Sequence, residues 1–562
     1  MKWVLPDEKP GDSESLLDFI LNQREIKDKK SFLYSTLENL HDPFLMWGMK
    51  NVAETILDAV NKKKKIVIHG DFDVDGVTAT SIMWDFLYRK LGADVLPFIP
   101  NRFTDGYGLS DESMNQIKEM KADLIITVDC GIKDIEIVKK YHKDFDFVIT
   151  DHHTILENKN DEKNKDVEVV GRHGISKYAK AVTHPGLDGS YPFTGICGAV
   201  VSLKVCIAIN SLLGNKFDMS EYLPLAAMGT VCDIMPLVDE NRAIVSEGLR
   251  LIKETNNIGL KALMRVSGVN PREVATYHIG FALGPRINAA GRIDHAMDAV
   301  RLLTTQSSSQ ANELASKLDM LNKQRQDLTH EYVDLALAQI DKKNKVHFIY
   351  GEDWPEGILG LIAGKITQKY FRPSLVASSN GDFIKGSARS IEGYNISKAL
   401  KDLDKHLIRY GGHAEAAGFS LNHSALPEFK DALQKHAKKK LKDTVLEPIL
   451  FIDAEINNSH LSLPMVEELN ELAPFGQANA EPVVLFSPTE TLRTITFGSE
   501  NQHIKAFSPS STLLEFIGFG KAYEFRELLE SSTPVEIAGS IGTNIWNGNK
   551  KIQIKIRDIR KK

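Results

Sequence analysis

Hydrophobic positions change their period along this chain, and the changes divide it into segments. From Lys65 to about Thr150, short apolar runs alternate with amphipathic stretches. IVIHG (66–70) precedes VTATSIMWDFLYRKL, a helical pattern. DVLPFIP (94–100), a helix near 110–120, DLIITVDCG (123–131), a helix over about 132–142 and FDFVIT (145–150) follow. Near-continuous apolar strands separated by helices predict a parallel sheet with both faces covered. Two apolar helices are expected next, near 195–213 and 221–231.

Leu314, Leu318, Leu321, Leu328, Tyr332 and Leu335 recur at steps of three, four and seven, with no Gly or Pro between them. That spacing predicts a single long helix connecting two domains. VHFIYG (346–351), a helix from about 357 to 370, SLVAS (374–378) and FIKGSARS (383–390) read as a smaller α/β domain. Lysine-rich HAKKKLKD (436–443) marks a boundary. Beyond it, 449–562 carries strand-like runs (TLLEFIGFG, PVEIAGSIG, KKIQIKIRDI) with one helix near 462–472, the pattern of a small β-barrel. The expected organisation is a helical lead-in (1–45), a parallel-sheet domain (46–309), a connecting helix (310–342), a smaller α/β domain (343–443) and a β-barrel domain (444–562).

Composition changes this picture little. A chain of 562 residues, 42% hydrophobic and 26% charged, is that of an ordinary multidomain globular protein. No window of about 18 apolar residues predicts a membrane span. The start, MKWVLPDEKPGDSES, lacks an apolar signal core. Four cysteines, Cys130, Cys197, Cys206 and Cys232, are scattered without CxxC spacing. A reduced, cytoplasmic protein is expected. A net charge of -6 does not point to nucleic acid, but a carboxylate metal site subtracts charge and a basic groove can be local.

The candidate chemistry sits at the ends of the first strands. HGDFDVDG (69–76) puts Asp71, Asp73 and Asp75 at alternate positions just after a strand, on one side of an extended segment. Gly70 and Gly76 are expected to let the backbone turn there. VDCG puts Asp129 at a second strand end, and TDHH puts Asp151, His152 and His153 at a third. Ligands of parallel sheets bind outside the carboxyl ends of the strands, so these groups share one edge. Asp233, in AAMGTVCDIMPL, follows a helical run of small residues. Converging carboxylates repel each other unless a cation compensates them. Carboxylates with one or two histidines suit two divalent cations, Mn²⁺ or Mg²⁺, better than soft metals.

DFDVDG, VDCG, DHH and CDIMPL resemble the four motifs of the DHH phosphoesterase superfamily. IPNRFTDGYGLS, GPRINAAGRID, LNKQRQ, GSARSI, GGHAEAAGF and LAPFGQANAEPV extend the resemblance to the RecJ family of single-strand exonucleases, over almost the whole chain. The resemblance implies one cation held by Asp71, Asp73 and Asp129, and another by Asp75, Asp129, His152 and Asp233. It implies that His153 sits beside the scissile phosphate and that Asp151 orients the histidines. His69-x3-Asp73-x-Asp75 also matches pyrophosphatase-like relatives, so His69 and Asp71 compete for one ligand position. Arg102, Arg286, Ser387 and Arg389 resemble a pocket for a terminal 5′ phosphate, for which guanidinium forks and a hydroxyl are suited. Gly412 and His413 resemble the glycine-rich turn of the DHH-associated domain. The tail resembles an OB-fold, with Phe516, Phe519, Tyr523 and Trp546 as stacking candidates beside Lys550, Lys551 and Lys555. At 354–357 the family pattern Trp-His-x-Gly is replaced by Trp354-Pro355-Glu356-Gly357.

The implied function is metal-dependent 5′-to-3′ hydrolysis of single-stranded DNA to 5′-mononucleotides, in recombination and repair. A monomer is expected, with single-strand-binding protein and a helicase as candidate partners. Two alternatives stand beside it: a phosphodiesterase of short oligonucleotides or cyclic dinucleotides, and a non-catalytic DNA-binding scaffold.

Overall fold

The apolar runs of the first α/β segment form five strands: Ile66–His69, Val95–Phe98, Leu124–Val128, Asp146–Thr150 and Ala181–Thr183. All pair in parallel, with Val95–Phe98 at one edge, then Ile66–His69, Leu124–Val128, Asp146–Thr150 and Ala181–Thr183. The reversal of strand order falls between Ile66–His69 and Leu124–Val128. Ligand sites of open α/β sheets lie at such a point, outside the carboxyl ends of the strands. Both central strands are wholly buried, because helices cover both faces of a parallel sheet. Helix Val74–Asp85 is buried on nearly every side and packs against Gly198–Leu212 and Leu223–Cys232.

This computed structural model describes residues 1–12, 14–155, 174–379, 381, 383–441, 446–509, 511, 513–531, 533–546 and 549–562; the side chain of Trp546 is outside that description. The chain divides into two units, Thr36–Leu446 and Met1–Ser35 with Glu447–Lys562.

Within the larger unit, one helix runs from Ser308 to Leu337, capped by the Ser307 hydroxyl. Its first half joins the core of the parallel-sheet domain through Ala311, Ala315, Leu318 and Leu321. Its second half packs Leu328, Tyr332 and Val333 with Trp354, Ile358 and Ile362. Leu335, expected on the apolar face, is exposed and Ala336 is buried in its place. A straight helix turns in steps of 3.6 residues, so a stripe extrapolated over about six turns drifts off the face. The helix leads into a five-stranded sheet ordered Arg409–Gly412, Ala416–Asn422, Phe383–Arg389, Ser374–Ser379, His347–Glu352, in which only the last pair is parallel.

The second unit contains a seven-stranded sheet, ordered Ala454–Ile456, Val483–Phe486, Val535–Trp546, Asn549–Lys561, Leu514–Gly518, His503–Phe507, Arg493–Phe497. The single helix expected there is joined by a second, Ala522–Glu530, whose Phe525 and Leu529 enter the core. The expected helical lead-in begins instead with a strand, Lys2–Val4, paired in parallel with Ile449–Phe451. Helix Leu16–Gln23 then buries Phe19, Ile20 and Leu21 in the same core as Phe516. An amphipathic helix this short is marginal alone and takes its stability from the surface that covers its apolar face. Trp3 Nε1 adds a 2.8 Å hydrogen bond to Asp558 Oδ2.

Candidate active site

The three aspartates of DFDVDG converge, though not as an extended run. Asp71 ends the strand loop, Asp73 is the N-cap of helix Val74–Asp85, and Asp75 lies in its first turn. The Asp73 carboxylate accepts from Gly76 N at 3.1 Å, the usual role of an aspartate at that position. Neither Gly70 nor Gly76 has a positive φ. They are needed for space: a methyl at Gly76 would lie 2.6 Å from Asp71 Cα, and one at Gly70 would lie 2.0 Å from Thr80 Oγ1. Asp75 points at the start of helix Gly198–Leu212, where Gly198 N and Ala199 N donate to its two oxygens at 2.6 and 2.8 Å. A helix N-terminus carries unpaired N–H groups and positive potential, so it holds this carboxylate as an anion receptor would.

Asp129 follows strand Leu124–Val128 with φ 61 and is 2% exposed. His152 Nε2 lies 3.0 Å from Asp129 Oδ1, 3.6 Å from Asp75 Oδ2 and 3.7 Å from Asp233 Oδ2. Three ligand-type constellations result: Asp71, Asp73 and Asp129; Asp75, His152 and Asp233; and Asp129, His152 and His153. The donor atoms of each lie within 4.8 Å of one another. His69 joins none of them. It is buried, its ring is 5.2 Å from that of Phe98, and its Nδ1 is 3.6 Å from Cys130 Sγ.

Burial and mutual repulsion push Asp71, Asp73 and Asp129 above the usual carboxylate range. Asp233 is pushed up to about 9 by burial and by Asp75, Asp73 and Asp71. These are the shifts expected of carboxylates gathered without a compensating cation. Asp151 behaves oppositely. Burial would raise it, but the hydrogen bond and charge of His153, helped by His152 and the Ile132 N–H, hold it well below the ordinary value. Its Oδ1 accepts from His152 N, His153 N and His153 Nδ1 at 2.7, 3.0 and 2.9 Å, and its Oδ2 from Ile132 N at 2.9 Å. An ionised Asp151 only accepts, so His153 Nδ1 carries the proton and Nε2 faces away from it.

The expected phosphate groups divide. Arg389 donates to Ser387 Oγ at 3.2 Å, so those two adjoin. Arg286 is committed elsewhere: it pairs with Asp319 at 2.8 Å and donates to Ala282 O. Its charge is thereby compensated. Arg292, further along the same helix Gly284–Ile293, takes the central place. Burial, then Arg102, Arg325 and Arg389, lower it to about 9. Arg325 Nε is buried without a partner among the described residues. Arg102 adjoins the metal-type carboxylates, since Asp71 and Asp73 act on it, and it lies over the Phe72 ring at 4.8 Å. An arginine cluster thus stands beside an aspartate cluster. The His413 ring lies 6.3 Å from that of His153 and nearly parallel to it. Gly412 has φ 142 and no room for a side chain, with Ala416 O 2.3 Å from a methyl's position.

Sequence reasoning overlooked Arg292 and Arg325, although both lie in segments that it singled out. It also passed over His184, which donates from Nε2 to His153 O at 2.8 Å and accepts from Gly186 N on Nδ1. A histidine before Pro185 at the next strand end was the available signal. In the second unit Phe516 is buried core, whereas Phe519 and Tyr523 are 59% and 87% exposed. Phe519 forms an aromatic group with Phe497 and His503. Lys550 pairs with Glu467 and Lys555 with Glu481. The Trp546 side chain lies outside the described residues.

A parallel sheet with acidic and imidazole groups at its switch point, followed by a smaller mixed-sheet domain, defines a DHH phosphoesterase. Residues 65–230 match the DHH family N-terminal domain, 342–439 the DHHA1 domain and 452–558 the RecJ OB domain. The chain belongs to the RecJ family. It is 32% identical over 588 residues to the single-stranded-DNA-specific exonuclease RecJ of Dickeya dadantii (strain 3937), covering 99% of this chain and 97% of the relative. It is 35% identical over 535 residues to RecJ of Bacillus subtilis (strain 168), with 94% of this chain but 65% of that longer relative covered. A crystal structure of Thermus thermophilus RecJ in complex with Mn²⁺ superposes with a TM-score of 0.82 at 28% identity, covering 100% of this chain and 80% of the other. A manganese-bound exonuclease RecJ gives 0.60 at 32% identity, with coverages of 72% and 97%.

Proposed function

We propose that this protein is a cytoplasmic 5′-to-3′ exonuclease that hydrolyses single-stranded DNA to 5′-mononucleotides in recombination and repair. The observation that carries the reading is the juxtaposition of two clusters of opposite sign, carboxylates around Asp129 and arginines around Arg292.

The donor set fits a pair of hard cations. Asp71 Oδ1 and Asp233 Oδ2 are buried with no hydrogen-bond partner among the described residues, and four aspartates are pushed above the carboxylate range by each other and by burial. Oxygen and imidazole donors suit Mn²⁺ or Mg²⁺. Asp71, Asp73 and Asp129 would hold one ion, and Asp75, Asp129, His152 and Asp233 the other, with Asp129 common to both. Bound cations supply the positive charge needed by a phosphate, an attacking water and a departing 3′ oxygen.

The chain's own groups do the rest. Asp151 fixes the His153 ring through Nδ1–H, leaving Nε2 to face the scissile phosphate, where it stabilises charge or aids proton transfer. The Gly198 and Ala199 amides lock Asp75 in place. Arg102, Arg292, Arg325 and Arg389, with the Ser387 hydroxyl, receive the terminal 5′ phosphate, whose charge relieves their mutual repulsion. The exposed aromatics of the second unit, Phe519 and Tyr523, offer faces for unpaired bases. A monomer, with single-strand-binding protein and a helicase as partners, completes the reading.

Digestion of end-labelled single- and double-stranded DNA with Mn²⁺ tests it. Release of 5′-mononucleotides from the 5′ end of single strands is expected. Preference for dinucleotides in a substrate length series would replace it with an oligonucleotide phosphodiesterase, and absence of any cation-dependent cleavage with a binding scaffold.

A further inference from the structure

The loop after strand Val95–Phe98 delivers one more group to His153. Tyr107 stands between Gly106 and Gly108, whose φ values of 81 and 78 lie in the left-handed region open to glycine. The loop is pinned at both ends by carboxylates. Asp105 Oδ2 accepts from Asn101 N, and Asp134 Oδ2 accepts from Leu109 N, each at 2.8 Å. A methyl at Gly108 would lie 2.5 Å from that Asp134 oxygen, so the close approach is built in. The Tyr107 hydroxyl then donates to the backbone carbonyl of Asp129 at 3.2 Å. Its oxygen lies 3.0 Å from His153 Nδ1 and 3.2 Å from Nε2, facing the ring edge between them. The ring planes meet at 61° with centroids 5.4 Å apart, an edge-to-face arrangement.

We propose that Tyr107 is a positioning residue for His153, tying the histidine's ring edge to the backbone of Asp129. Asp151 holds Nδ1 from one side, and the rings of His152 and His413 lie 4.5 and 6.3 Å from that of His153. The phenol adds a contact along the ring edge between the two nitrogens. It spends its one proton on the Asp129 carbonyl and turns a lone pair to the positive edge of the imidazole. The orientation of His153 is thereby coupled to the strand end that carries the shared carboxylate.

This inference rests on the hydrolytic reading of the site, and its test separates the two. Tyr107→Phe removes only the hydroxyl. The expected result is a fall in kcat of about 10- to 100-fold, the loss that goes with misplacing a reacting group by about 1 Å, with KM for single-stranded DNA and the Mn²⁺ concentration dependence unchanged. In a His153→Ala background the same substitution should cost nothing further. Full kcat in Tyr107→Phe, or an undiminished loss on top of His153→Ala, would overturn the inference. The ring ¹⁵N signals of His153 in histidine-labelled protein read the contact without turnover. They should shift or broaden in Tyr107→Phe, and unchanged signals would also overturn it. An inactive wild-type protein with shifted ring signals would sink the hydrolytic reading instead.

Discussion

Gly198→Ala perturbs the shared carboxylate without replacing any candidate ligand. Gly198 opens the helix whose amides hold Asp75, and a methyl there would sit 2.5 Å from Asp129 Cβ and 2.8 Å from its Cγ and Oδ1. Carbon atoms settle at about 3.5–4.0 Å, so the two groups must part by about 1 Å. The backbone at Gly198 is compatible with alanine, and alanine in a helix gains up to about 1 kcal/mol over glycine. Overpacking costs about 1–3 kcal/mol, so the net change in stability is a loss of about 0–2 kcal/mol and the protein stays folded. Function is far more sensitive. Displacing a catalytic group by about 1 Å lowers turnover on the order of 100-fold, which corresponds to about 2.7 kcal/mol of barrier. The assay is kcat on 5′-labelled single-stranded DNA at saturating Mn²⁺, with a urea melt on the same preparation. A folded Gly198→Ala variant with kcat within about twofold of wild type would refute the argument, because the loss predicted from 1 Å is far larger.

Asp129→Ala should abolish hydrolysis and leave single-strand binding largely intact, measured by nuclease assay and fluorescence anisotropy. Arg389→Ala should weaken the response to a 5′ phosphate: the preference for 5′-phosphorylated over 5′-hydroxyl ends should fall by roughly 10- to 100-fold, the worth of a charged hydrogen bond of about 1.5–3 kcal/mol, and equal loss on both ends would count against the pocket. The metal-free protein should lose stability as pH rises from about 4 towards 9. Asp233 is protonated in the folded state up to about 9, whereas an unfolded aspartate ionises near 3.8, so the folded state holds more protons and rising pH favours unfolding. Saturating Mn²⁺ should reverse that trend, since it replaces the protons; thermal melts across the range with and without the ion would show it, and a flat apo profile would contradict the repulsion described.

DFDVDG, VDCG and DHH were legible in the sequence because each is a short, local feature. An apolar run ending in an acidic residue is visible without knowing the fold, and the rule that parallel sheets bind ligands at one edge was enough to bring Asp71, Asp75, Asp129 and His152 together. The parallel sheet, the long helix, the smaller domain and the β-rich tail followed from hydrophobic period in the same way. The conformation of DFDVDG did not. Alternation suggested an extended segment, but Asp73 caps a helix and Asp75 lies inside it, because the helix start supplies N–H partners that an extended strand end lacks.

What only the tertiary structure decided depends on residues distant in sequence. GPRINAAGRID offered two arginines, and nothing local distinguishes them. Asp319 lies on another helix, 33 positions from Arg286, and neutralises it; Arg292 has no carboxylate partner among the described residues and meets Arg102, Arg325 and Arg389 instead. Glycine at 198 reads as an indifferent helix residue until Asp129 arrives within 2.5 Å of where a methyl would lie. Strand Lys2–Val4 has its partner at Ile449–Phe451, and no periodicity within the first 45 residues foretells that pairing. The sequence by itself determined the elements and the identity of the metal-type side chains, since both follow from local pattern. Which charges are compensated, which glycines are obligatory and where Tyr107 meets His153 were decided by long-range packing, because burial and partnership are properties of the assembled chain.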